Sequence, residues 1–155
     1  MIPYIVVDAS VAGAWSYNEP FTSRAVPVLA AILARRVFAI APDRFEEEFL
    51  SICRRKVRPP NEGGLSLPPA DCWSRFEDIL TAPMPFYLLP ARELHERAWQ
   101  LSLAVTGLTV HDALYLALAE RWGAELWTLD DVLGGLGVAA VYNNVHDLRT
   151  QAFPH

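Results

Sequence analysis

Cysteine is scarce in this chain: Cys53 and Cys72 are the only two among 155 residues. Two thiols make neither a disulfide framework nor a cysteine-based zinc site, and a reducing cytosol is the simpler setting. Basic charge is not in excess either. Thirteen lysines and arginines stand against 18 acids, a formal net charge of −5. A broadly basic phosphate-binding surface is thereby disfavoured, although acids gathered around divalent cations would give the same sum. No run of 18 uncharged apolar residues occurs, which argues against a membrane span. The apolar opening MIPYIVVDAS has no basic n-region and is interrupted by Asp8, so it reads as a core strand and not as a signal peptide. Internal repeats and low-complexity tracts are missing too. What the chain does have is hydrophobic residues, 52% against 20% charged. That composition argues against disorder and suits a single globular domain over 1–155.

Apolar runs and turn residues alternate along the chain. The spacing predicts strands over 2–7, 37–41, 86–90, 125–128 and 138–142, and helices over 22–35, from Asp43, over 71–81, over 91–106 and after Thr109. In the segment DRFEEEFLSICRRK, Phe45, Phe49, Ile52 and Cys53 share one side. Residues 57–70 hold four prolines and two glycines and read as a loop. Strands alternating with helices imply an α/β domain with a mainly parallel sheet of about five short strands.

In such sheets, sites form at the carboxyl ends of strands. Asp8 and Asp130 each follow a predicted strand, and Asp112 opens a helix. Carboxylates converging on one point repel one another unless cations join them. Mg²⁺ or Mn²⁺ suits oxygen ligands and keeps bound waters. A centre of that kind activates water for in-line phosphodiester hydrolysis, which is the physical case for a nuclease.

Each acid also has a purely structural role open to it. Asp8 fits an N-cap, yet an acid flush against a buried strand is costly without partners, which favours function. Thr109-Val110-His111-Asp112 fits a capping box, yet Asp112 shares a face with Leu116 and Ala119, which turns it inward. Asp130 and Asp131, each taken singly, read as turn residues. In the triplet Glu46-Glu47-Glu48, about 100° per residue points Glu47 away from the apolar side. Helix geometry leaves both Glu46 and Glu48 open.

With these residues in view, the chain resembles a known family. VVDASVAGAW is similar to the opening strand and acid of PIN domains, particularly the VapC-type toxins of bacterial toxin–antitoxin pairs. PDRFEEEFLSICRR resembles the family segment in which a glutamate follows a proline by six positions, and that alignment selects Glu48. LTVHDALYLALAERWGAELWTLDD resembles the third block and assigns family acids to Asp112 and Asp130. The resemblance spans about residues 3–58 and 86–142, and its specificity lies in the order and separation of the blocks. It implies a PIN-like α/β/α sandwich with Mg²⁺ or Mn²⁺ held by Asp8, Glu48, Asp112 and Asp130, and RNA as substrate. Hydrolysis by metal-activated water would leave a 5′-phosphate and a 3′-hydroxyl. Ser10 and Thr128 match polar positions that orient ligands or waters, and Asp131 is either an extra ligand or an exposed helix-start acid. The family further implies a homodimer and a small antitoxin as partner.

Arg54, Arg55, Lys56 and Arg58 form the densest basic cluster. Phosphate contact and a favourable helix-end charge are equally open readings. His95, His111, His146 and His155 show no metal spacing, and only His111, beside Asp112, has a claim on the site rim. Trp15, Trp73, Trp99, Trp122 and Trp127 are expected mostly in the core, with Trp99, Leu101 and Leu103 a possible dimer seam. The rival of another class is a PIN-fold binding or regulatory module with little catalysis. A phosphoacceptor reading is weak, because Ser10 stands where a dehalogenase-like phosphatase needs a second aspartate. Receiver domains pair adjacent acids early in the chain with a later lysine, and that pattern is not visible either.

Overall fold

The runs YIVV and FAIAP are β-branched or alanine-rich and buried on both sides, which marks a sheet covered on both faces at its centre. The structure, a computed structural model, describes residues 1–81 and 86–154; His155 lies outside them. The strands are β1 Tyr4–Val7, β2 Phe38–Pro42, β3 Phe86–Leu89, β4 Glu125–Thr128 and β5 Val145–Asp147. They form one sheet in the order β3-β2-β1-β4-β5, with every pair parallel. The register sets Tyr4 beside Phe38 and Val7 beside Trp127.

The helices are α1 Ala9–Ser16, α2 Thr22–Leu33, α3 Phe45–Lys56, α4 Pro69–Thr81, α5 His95–Ala104, α6 Val110–Trp122 and α7 Leu136–Ala139. Central in the packing is α6, buried continuously from Ala113 to Ala119. It lies on β1, β2 and β4, with α5 against its outer side. Thr109 caps its start, and Gly123, at φ 59°, ends it in the left-handed conformation that glycine adopts without strain. On α1, Gly13 brings the helix close to α3: a Cβ there would stand 3.1 Å from Ile52 Cγ2. The face of α3 expected from the sequence is buried at Phe45, Phe49 and Cys53. Among the described residues no helix is long and apolar enough to cross a membrane.

Two expectations need correction. The apolar run 138–142 is not a strand. Its first half belongs to α7, and Tyr142 turns back to donate its hydroxyl to the Ala124 carbonyl at 2.7 Å, with the Ala119 carbonyl also 3.1 Å away. These contacts fasten it to the end of α6. The fifth strand is Val145–Asp147, where His146 stacks on Trp127 at 4.4 Å and Arg149 pairs with Asp147. Nor are most tryptophans buried: Trp15 and Trp127 are, whereas Trp73, Trp99 and Trp122 are exposed. The loop over 57–70 contains one 3-10 turn, Pro60–Glu62, and then folds back on the end of α3. Leu65 and Leu67 donate to the Lys56 carbonyl, and Ser66 donates to that of Arg58. Gly64 lies so close to that strap that a Cβ would sit 1.9 Å from the Arg58 carbonyl oxygen.

Candidate active site

The chain runs outward from β1 to β2 and β3, then returns to lay β4 on the other side of β1. The reversal opens a crevice at the carboxyl ends of β1 and β4, the switch point where ligands of open α/β sheets bind. A cavity of about 300 Å³ occupies that place, with Asp8, Glu48, Asp112, Asp130, Ser10, Arg55 and Tyr115 in its wall. The starts of α3 and α6 bring Glu48 and Asp112 to it, where the positive end of each helix favours a carboxylate.

Asp8 is the deepest of the acids, at 4% exposure. Its Oδ1 accepts from the Ser10 hydroxyl at 2.5 Å and the Val11 N–H at 3.2 Å, and so caps α1. Its Oδ2 accepts from the Thr128 hydroxyl. Burial nevertheless pushes the carboxyl up to about 6; those three donors pull down, and Asp130 adds to the rise. Thr128 is fully buried, and its Oγ also accepts from the Asp130 N–H at 2.9 Å. Ser10 similarly accepts from the Leu129 N–H at 3.2 Å. Two hydroxyls thus tie the end of β1 to the turn after β4.

The remaining acids combine structural and cleft-facing roles. Asp130 Oδ1 accepts from the Val132 and Leu133 N–H groups, both at 2.9 Å, holding the turn as its sequence position suggests. Asp112 is half-buried and also belongs to a capping pair: the Thr109 hydroxyl donates to its Oδ2 at 2.7 Å and accepts from its N–H. The capping and inward readings of Asp112 therefore coexist. Glu48 lines the cavity, whereas Glu46 lines a different one with Asp43, Arg44 and His95. Burial raises the Glu48 carboxyl, opposed by the Tyr115 hydroxyl, which donates to Oε2 at 2.7 Å. Arg44 lies 3.8 Å from its other oxygen. Asp131 is exposed and stands outside the cavity wall, as does His111.

Of the basic cluster, Arg55 alone reaches this wall. Arg54 and Arg58 are exposed elsewhere on the surface, and Lys56 is turned inward onto Glu19. Tyr115 was not expected from the sequence. Its signal is modest but present: three residues beyond Asp112, it is the one hydrogen-bonding side chain in 113–119. Arg149 was also missed; it forks onto Asp147 and is close enough to Asp130 and Asp131 for their charges to stabilise its own.

The donors in the cavity are carboxylates and hydroxyls, with no imidazole or thiol among them, which suits Mg²⁺ or Mn²⁺ in preference to softer ions. Glu48 Oε1, Asp112 Oδ1 and Asp130 Oδ2 accept no hydrogen bond among the described residues. In the side-chain positions adopted here, no three acidic, histidine or cysteine side chains among the described residues stand close enough to hold one metal ion.

The all-parallel sheet with helices on both faces is a PIN-like fold. A solved structure that shares it is VapC20 of Mycobacterium tuberculosis, a sarcin–ricin loop cleaving toxin. The two superpose with a TM-score of 0.62 over 88% of this chain and 94% of that one, at 14% identity. No family model matches the sequence, and no curated protein does.

Proposed function

We propose that this chain is a metal-dependent endoribonuclease of the VapC type, the toxin of a toxin–antitoxin pair acting in the cytoplasm. The observation that carries the reading is Asp8. It is a carboxylate buried at the switch point of a PIN-like sheet, with Glu48, Asp112 and Asp130 around the same cavity. A fold has no need to bury an acid against its own solvation unless something else gains from it.

Asp8, Glu48, Asp112 and Asp130 would hold Mg²⁺ or Mn²⁺, drawing together from their present positions. The bound metal would supply an activated water and a counter-charge for phosphodiester hydrolysis. Within the chain, Ser10 and Thr128 orient both oxygens of Asp8, and Tyr115 orients Glu48. Sharing the fold with a sarcin–ricin loop cleaving toxin supports this function over a non-catalytic binding module.

The test is cleavage of an RNA pool by antitoxin-free protein with Mg²⁺ or Mn²⁺, with Asp112→Asn as the comparison. We expect metal-dependent cutting by the wild type and at least about a hundredfold loss in the variant. Undiminished cutting by Asp112→Asn would remove the site. No cutting of any RNA by metal-loaded protein would favour the binding module. Homodimerisation belongs to the same reading, with exposed Trp99 and Leu103 on α5 as its apolar surface. Sedimentation is expected to give a dimer, and a well-behaved monomer at micromolar concentration would refute that part.

A further inference from the structure

The acidic cavity does not end at Ser10. A second cavity of about 260 Å³ opens beside it, and the two share Ser10, Ile52 and Arg55 in their walls. Beyond these the second is lined by Pro20, Phe21 and Leu129, with Glu19 and Lys56 as its charged part. One chamber is therefore polar and acidic, and its neighbour is mixed apolar with a single ion pair.

Arg55 stands between them, exposed and without an ion-pair partner among the described residues. The other cation of the second chamber is already engaged: Lys56 pairs with Glu19 and lies 5.5 Å from the Tyr17 ring. An uncommitted guanidinium at a junction is suited to one phosphate, which its planar fork takes through two hydrogen bonds. Phe21, 38% exposed, offers a face on which a base can stack. Its loop is firmly built. The Thr22 hydroxyl lies 2.7 Å from the Ala14 carbonyl and 2.8 Å from that of Tyr17, and accepts from the Glu19 N–H at 2.8 Å. The chamber is thus preformed.

We propose that the second cavity seats the nucleotide adjoining the cleaved linkage of a single-stranded RNA, with Arg55 on the phosphate joining the two nucleotides. This rests on the ribonuclease reading for the word cleaved, but not for the nucleotide seat itself. A single strand is specified because a nucleotide must leave its helical stack to enter a concave pocket.

The experiment has two arms. In the first, Arg55→Ala and Phe21→Ala are compared with wild type in steady-state cleavage of a single-stranded RNA. Arg121→Ala, remote and paired with Glu93, is the control. KM is expected to rise about tenfold for Arg55→Ala and about fivefold for Phe21→Ala, with kcat within about threefold of wild type and the control unchanged. In the second arm, a short labelled RNA is titrated into Asp8→Asn protein with and without the same substitutions, as a single strand and as a duplex. Affinity is expected to fall by the same factors and to favour the single strand. Cleavage with unchanged KM in both variants would overturn the seat and leave the nuclease standing. Equal affinity for duplex and single strand would also overturn it. Binding that depends on Arg55 and Phe21, together with no cleavage of any RNA by the metal-loaded wild type, would support the seat and overturn the nuclease.

Discussion

Asp8→Asn is expected to make the metal-free protein more stable at pH 8 while abolishing its cleavage of RNA. The stabilisation follows from the raised carboxyl. Its ordinary value is 3.8, and burial lifts it to about 6 in the folded chain. The folded state therefore binds the Asp8 proton more tightly than the unfolded state does. The associated stability is fully present below about pH 4, falls as pH rises through 6, and stays lost above it. A change of that size corresponds to about 3 kcal/mol. Asparagine keeps the Oδ1 contacts with Ser10 and Val11, but its amide must meet the Thr128 hydroxyl, which then turns its own hydrogen elsewhere. A net gain of about 1–3 kcal/mol, a few degrees in Tm, is the result expected for a chain of this length.

The informative readout is the difference in Tm between variant and wild type as a function of pH, because other acids titrate in both proteins. That difference should be near zero at pH 4, grow to pH 6 and level off. Mg²⁺ or Mn²⁺ at pH 8 should stabilise the wild type and leave Asp8→Asn almost unmoved. A difference independent of pH would show that Asp8 is not a strained buried acid. Equal metal stabilisation of both proteins would remove it from the metal site.

The fold was legible wherever periodicity and punctuation agreed. IVV before Asp8, ELWT before Leu129 and the capped run after Thr109 fall within a residue or two of the observed elements. The failure at 138–142 has a physical cause. A short apolar run carries no sign of whether it will pair as a strand or pack against a helix end. The true edge strand, Val-His-Asp, is held by a ring stack and an ion pair instead of alternating burial. The acids divide in the same way. Asp8 could be singled out because a charge at the end of a buried strand is anomalous within the sequence itself. Glu48 could not be separated from Glu46 by helix phase, since what distinguishes them is Tyr115, 67 residues away. The partition of the basic cluster into Arg55 at the cleft and Lys56 on Glu19 likewise depends on the loop before α2.

Thr128→Val should carry a cost far larger than its shape suggests. Valine fills nearly the same volume but removes a hydroxyl that is fully buried and used twice, donating to Asp8 Oδ2 and accepting from the Asp130 N–H. The variant leaves a buried carboxylate oxygen and a turn N–H short of partners. About 2–4 kcal/mol of stability should be lost at pH 8, and the Asp8 carboxyl should move still further upward. Cleavage should fall with its pH profile displaced to the alkaline side, because a larger share of Asp8 stays protonated at neutral pH. Thr128→Ser, which restores the oxygen without the methyl, should recover most of both losses. If the hydroxyl acts through the charge on Asp8, the cost must shrink when that charge is removed. Urea denaturation of the four proteins made by combining Thr128→Val with Asp8→Asn should therefore show a coupling above about 1 kcal/mol at pH 8. At pH 4, where Asp8 is already protonated, most of that coupling should vanish. Strict additivity at pH 8 would mean that Thr128 merely packs. An undiminished coupling at pH 4 would mean that it holds Asp8 in place whatever the charge, and the electrostatic account of this pair would fail.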